Sequence, residues 1–160
     1  MKILKENKLN FKNFTYLGEK FKTDITFTYK DMANKIKYEL EFLLKTSSKS
    51  LENMIFTAAG LAEWFADDVN IKDDILTFEW EGSSEEARIL TKRMTDKIKW
   101  QWLADEEEGL NTYCELRFEI DPMTKVVILY VTDFAEEDDL DENKRLWEQQ
   151  IGELKRVLGA

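Results

Sequence analysis

Along most of residues 36–131 apolar side chains recur every second position, and the period lengthens to that of a helix over about 50–59 and again near the C-terminal end. Ile36, Tyr38, Leu40, Phe42 and Leu44 face one way, with Lys37, Glu39 and Glu41 opposite and Leu43 alone breaking the polar side. Cys114, Leu116, Phe118 and Ile120 repeat the arrangement against Tyr113, Glu115, Arg117 and Glu119. Strands patterned this way have one wet face and one dry face, and the dry face needs a second layer to cover it. The last segment supplies one. Trp147, Ile151, Leu154 and Leu158 are spaced four, three and four, a single stripe of a long helix.

Between these landmarks the remaining elements can be placed. TSSKSLENMIFTAAGLAEWF reads as a helix capped by Ser50, running to about Ala59, with Gly60 as the break. A short second turn then carries Leu61, Trp64 and Phe65. Strands are expected at Val69–Ile71, at Leu76–Trp80, around Arg88–Ile89, at Ile98–Trp102, at Cys114–Ile120 and at Val126–Val131. ADEEEG, ending at Gly109, reads as a charged hairpin loop. Asp139 with Glu142 has the spacing of a capping box for the last helix, and Gly159 can close it. The fold class is therefore α+β: a largely consecutive antiparallel sheet gripped by a long C-terminal helix, with a short helix after its first strand.

Composition narrows the chemistry. The 160 residues include no His and one Cys, so Ser-His-Asp and Cys-His nucleophiles, His-ligated zinc and an internal disulfide are excluded. No cofactor or metal is implied. The formal charge of −10 disfavours a nucleic-acid partner, which needs a cationic face. That charge is uneven. Residues 1–31 hold seven Lys against four acids, whereas residues 32–160 hold 16 basic groups against 29 acidic ones. The chain is accordingly divided into an N-terminal extension, 1–31, and a domain, 32–160, with Met32 a plausible start of translation. Within the extension Phe21, Thr23, Ile25, Phe27 and Tyr29 alternate as an extra edge strand would over 21–29. No run is long and apolar enough to serve as a signal peptide or membrane span, and a cytoplasmic protein is expected.

Three segments carry a family likeness. GLAEWFADDV (60–69), TFEWEGSSEEARI (77–89) with Trp80, Gly82 and Ala87, and LWEQQIGELKRVLG (146–159) resemble the Trp-Phe turn, the strand–Gly–strand and the terminal helix of the START-like, or helix-grip, superfamily. The likeness is to the branch related to the heat-shock chaperone ATPase activator, and most to a bacterial subgroup of uncharacterised START-like proteins. It covers roughly residues 34–160. The resemblance implies a helix-grip fold. It implies a function of one of two kinds: an apolar ligand held between sheet and helix, or contacts with a protein partner, as in the chaperone co-regulators.

Seven rings, Trp64, Phe65, Phe78, Trp80, Trp100, Trp102 and Trp147, fall on expected inward faces or on the turn that caps them. They either line a pocket or fill the space themselves, since each buries ~150–250 Å². Arg88, beside a Gly turn, is a candidate anchor for a carboxylate or phosphate, or else an outward Arg paired with Glu79 or Glu86. Tyr113 completes the ligand-binding set, although strand parity places it opposite Cys114. Glu63, Asp67 and Asp68 flank the Trp-Phe turn, and no spacing among them selects a catalytic pair. DFAEEDDLDE (133–142) lacks the Gly and distal Glu of a calcium loop and reads as a solvated approach to a helix N-terminus. The expectation is a non-enzymatic domain that binds a small hydrophobic molecule. A protein-interaction module is the alternative, and a cyclase- or hydrolase-like enzyme comes third.

Overall fold

The computed structural model describes residues 35–160, and the strand expected at 21–29 lies outside the described residues. Seven strands and four α-helices follow in order: β1 (Ile36–Leu44), α1 (Ser48–Phe56), α2 (Ala58–Trp64), β2 (Asp68–Lys72), β3 (Ile75–Trp80), β4 (Ser83–Arg93), β5 (Lys97–Trp102), α3 (Leu103–Glu107), β6 (Cys114–Ile120), β7 (Val127–Ala135) and α4 (Leu140–Leu158). The strands form one antiparallel curved sheet in the order β1-β7-β6-β5-β4-β3-β2, so the first strand closes against the last. Leu40 lies opposite Val131, and Leu116 opposite both Val131 and Ile98, which carries one dry face through four strands. Helix α4 lies across that face, packing on α1, α2, β1 and β7, with Trp147, Ile151 and Leu154 buried. This is the antiparallel sheet covered by a long terminal helix that the alternation and the terminal stripe imply, and the helix-grip fold that the resemblance implies.

Four local features differ from the sequence reading. The cap of α1 is Ser47, whose Oγ accepts the Ser50 amide at 3.1 Å, because the helix begins two residues before Ser50. The break between the first two helices falls at Thr57 rather than Gly60. Thr57 Oγ1 donates to the Asn53 carbonyl at 2.7 Å and accepts from the Gly60 amide at 2.9 Å. One hydroxyl thus closes α1 and opens α2. Gly60 is inside α2 for a packing reason: a Cβ there would lie 1.9 Å from the Asn53 carbonyl oxygen. The expected loop ADEEEG is partly helical as α3, which places Asp105 inside, held by Lys35 Nζ at 2.9 Å and Thr112 Oγ1 at 2.7 Å.

The fourth difference concerns the acidic run. Strand β7 continues through Asp133, Phe134 and Ala135, so the first residues of DFAEEDDLDE belong to the sheet and not to a solvated loop. Asp139 occupies the N-cap position of α4 without a side-chain cap; its carbonyl instead accepts Asn143 Nδ2 at 3.0 Å. At the other end Gly159 takes φ 67°, the left-handed conformation that lets its amide return to the Arg156 carbonyl.

Candidate functional site

The Trp-Phe turn is fixed by two indoles. Trp64 Nε1 donates to the Met54 carbonyl and Trp80 Nε1 to the Phe65 carbonyl, each at 3.1 Å. This pins the end of α2 between α1 and β3 and drives the Phe65 ring into the dry face of the sheet. Phe65 then touches five rings, with centroids 5.5 Å from Trp64, 5.0 Å from Phe78, 6.1 Å from Trp80, 5.8 Å from Trp100 and 5.7 Å from Trp147. Phe78 adds Trp102 at 5.4 Å. All seven inward rings of the sequence reading therefore belong to one network, packed mainly edge-to-face as ring quadrupoles favour. The rings pack on one another, and Trp80 and Trp102, the half-buried members, form its outer margin.

Arg88 and Tyr113 stand elsewhere. Register explains the first: Leu76 and Ala87 pair on the dry face, so the next pair, Ile75 and Arg88, points the other way. The Arg88 guanidinium bonds Glu106 at 3.0 Å and Asp74 at 3.3 Å, partners from α3 and the β2–β3 turn instead of Glu79 or Glu86. Tyr113, just before β6, lies on the outer face, 5.0 Å from the Phe134 ring and under Lys99 Nζ at 4.1 Å.

The geometry adds a group that the sequence reading did not single out. Asp133 points from β7 to the dry face, half-buried, opposite Tyr38 on β1. Its Oδ2 accepts Trp147 Nε1 at 2.8 Å and Tyr38 Oη at 3.5 Å, while Oδ1 accepts the Phe134 amide at 2.8 Å. Burial pushes the Asp133 carboxyl up to about 6, against the indole and amide bonds and the Lys35 charge, which pull it down. Burial, followed by the Asp133 charge, also raises the Tyr38 phenol. Cys114, on the same face, is buried and its thiol is raised for the same first reason, so it behaves as a small apolar side chain. The signal for Asp133 was its parity with Val127, Leu129 and Val131, hidden by the acids that follow it.

A carboxyl raised by folding stabilises the fold only while protonated. Its contribution is complete below the ordinary value of 3.8 and is lost as pH rises through about 6. Asp133→Asn removes this dependence. The stability of the native chain minus that of the variant, from urea unfolding, is expected to fall by about 2 kcal/mol between pH 4 and pH 7, taking ~1.4 kcal/mol per unit and discounting for partial solvent access. A flat difference would show that the carboxylate is fully hydrated.

The model of the START-like superfamily domain matches residues 32–160. The chain belongs to that superfamily. Among solved structures it is similar to BfR322 from Bacteroides fragilis, at 36% identity over 77% of this chain and 90% of that one, with a TM-score of 0.56. The Aha1 dimer from Colwellia psychrerythraea shares the fold at 15% identity, covering 77% of this chain and 96% of that one, with a TM-score of 0.65. So does MLL2253 from Mesorhizobium loti, at 13% identity over 78% and 97% of the two chains, with a TM-score of 0.62. No curated protein matches the chain. Among the described residues no START-like helix is long and apolar enough to cross a membrane, and no group of His, Cys, Asp and Glu is placed to hold a metal.

Proposed function

We propose that this START-like domain binds a small hydrophobic molecule between the sheet and α4, against the aromatic network. The observation that supports this reading is Trp100. Its ring is 0% exposed, and among the described residues its Nε1–H has no acceptor. An N–H buried without a partner costs about 1–3 kcal/mol, which a ligand oxygen placed there would recover. The favoured ligand is therefore apolar and ring-compatible, with one hydrogen-bond acceptor. Asp133 and Tyr38 offer a second polar point on the same dry face for a hydroxyl or amine. The rings already occupy much of this space, so a small molecule suits it better than a long chain.

Native mass spectrometry of the purified chain, with Trp fluorescence during titration by fatty acids, sterols and flavonoids, tests the reading. The expected result is a co-purified mass or saturable quenching by one class. Trp100→Phe should weaken that binding about tenfold, the loss of one good hydrogen bond, while the variant stays folded because it also loses the lone N–H. No co-purified mass and no quenching by any class would sink the proposal.

A further inference from the structure

One end of the sheet combines exposed apolar tips with unneutralised cations. Strands β4, β5, β6, β7 and β1 are neighbours, and the β4–β5 turn, the β6–β7 turn and the end of β1 all emerge on that side. The Phe118 amide bonds the Asp96 carbonyl at 2.9 Å, and Leu44 and Ile120 both pair with Val127, which sets the three tips level. At about 5 Å per strand the row spans roughly 20 Å. It displays Met123 at 91%, Leu43 at 59% and Met94 at 54% exposure, with Ile120 beside them. Lys45 after β1, Lys49 in the first turn of α1, Lys92 near the end of β4 and Lys125 in the β6–β7 turn are exposed at this end. None of these four forms an ion pair among the described residues. Of the nearby acids, Asp96 is ion-paired with Arg93, while Asp121 is turned back onto the Met123 and Thr124 amides and Glu119 onto Tyr130.

We infer that this end is a docking surface for an anionic lipid bilayer. Met94 and Met123 project from hairpin turns and Leu43 and Ile120 from the adjoining strand ends, with polar residues between them, a form that enters a lipid interface. Free lysines around them match negatively charged headgroups. The charge distribution also fixes orientation. Asp67, Glu81, Glu137 and Asp138 lie at the opposite end of the strands, so among the described residues approach to such a surface is favoured with the tips forward. The inference is independent of any ligand in the interior.

Co-sedimentation of the full 160-residue chain with vesicles tests it. Binding is expected to phosphatidylcholine vesicles containing phosphatidylserine at low salt, to weaken at high salt, and to be minor on phosphatidylcholine alone. The pairs Met94→Glu with Met123→Glu, and Lys92→Glu with Lys125→Glu, should each lower partitioning more than about tenfold, with circular dichroism melting unchanged. Absence of binding to the serine-containing vesicles overturns the inference. So does undiminished binding by both double variants, which would place the contact on other residues. If vesicles fail and the chain instead forms a concentration-dependent dimer that Met123→Glu disperses, the tips meet a second copy and the lipid assignment is wrong.

Discussion

Replacing Phe65 by alanine is expected to destabilise the domain by about 3–5 kcal/mol, the range for deleting a buried aromatic ring. Phe65 is 1% exposed and touches Trp64, Phe78, Trp80, Trp100 and Trp147, so its removal leaves the network without its centre. Little collapse is available. The backbone on one side is held by the Trp80 indole on the Phe65 carbonyl, and the walls on the other are strands. A loss of that size approaches the whole stability of an ordinary domain, ~5–15 kcal/mol. The urea midpoint and the near-ultraviolet signal of the tryptophans should both fall. A loss under about 1 kcal/mol would mean that the rings repack freely, contrary to the close edge-to-face contacts.

Gly60→Ala is the second large effect, and its cause is the opposite one. The added methyl would meet the Asn53 carbonyl oxygen at 1.9 Å, Met54 Cα at 2.7 Å and the Asn53 carbonyl carbon at 2.8 Å. These are backbone atoms of α1, tied in place by Thr57 Oγ1 on the Asn53 carbonyl and by Trp64 Nε1 on the Met54 carbonyl. Helix propensity alone favours alanine by about 1 kcal/mol in a helix interior. The clash reverses that sign, and a net destabilisation of about 2–3 kcal/mol is expected from forced separation of α1 and α2. Thermal melting of the variant checks it. A variant as stable as the native chain would show that α2 can swing away from α1 at no cost.

These two sites also show where sequence reasoning works. The Trp-Phe turn and its inward rings were legible because hydrophobic parity and helical spacing report which way a side chain points. Gly60 was noticed but misread. Glycine looks like a break in a periodic pattern, whereas here it marks a close approach of two backbones and the break belongs to Thr57. Arg88 was legible as an outward, ion-paired residue but not in its partners, and Asp133 was not singled out at all. Of the two readings of Arg88 the outward one holds, but the partners are Glu106 and Asp74 instead of Glu79 or Glu86, because they come from segments whose proximity exists only after folding. Asp133 sat among acids that are solvated, and only the extension of β7 to Ala135 turns it inward. The orphan Trp100 N–H has no sequence signature, because an unmet hydrogen bond is a property of three-dimensional surroundings.

The pairing of β1 with β7 has a consequence for how the protein is made. Ile36 meets Ala135 and Leu44 meets Val127, so the first strand of the domain cannot be sealed until nearly all of it has been synthesised. At ~5–20 residues per second the ribosome leaves β1 without its partner for roughly 5–20 seconds. During that interval an alternating apolar strand is open to the wrong neighbour. The Lys37, Glu39 and Glu41 side chains along its other face are charges that keep such a strand from pairing with its copies on nearby nascent chains.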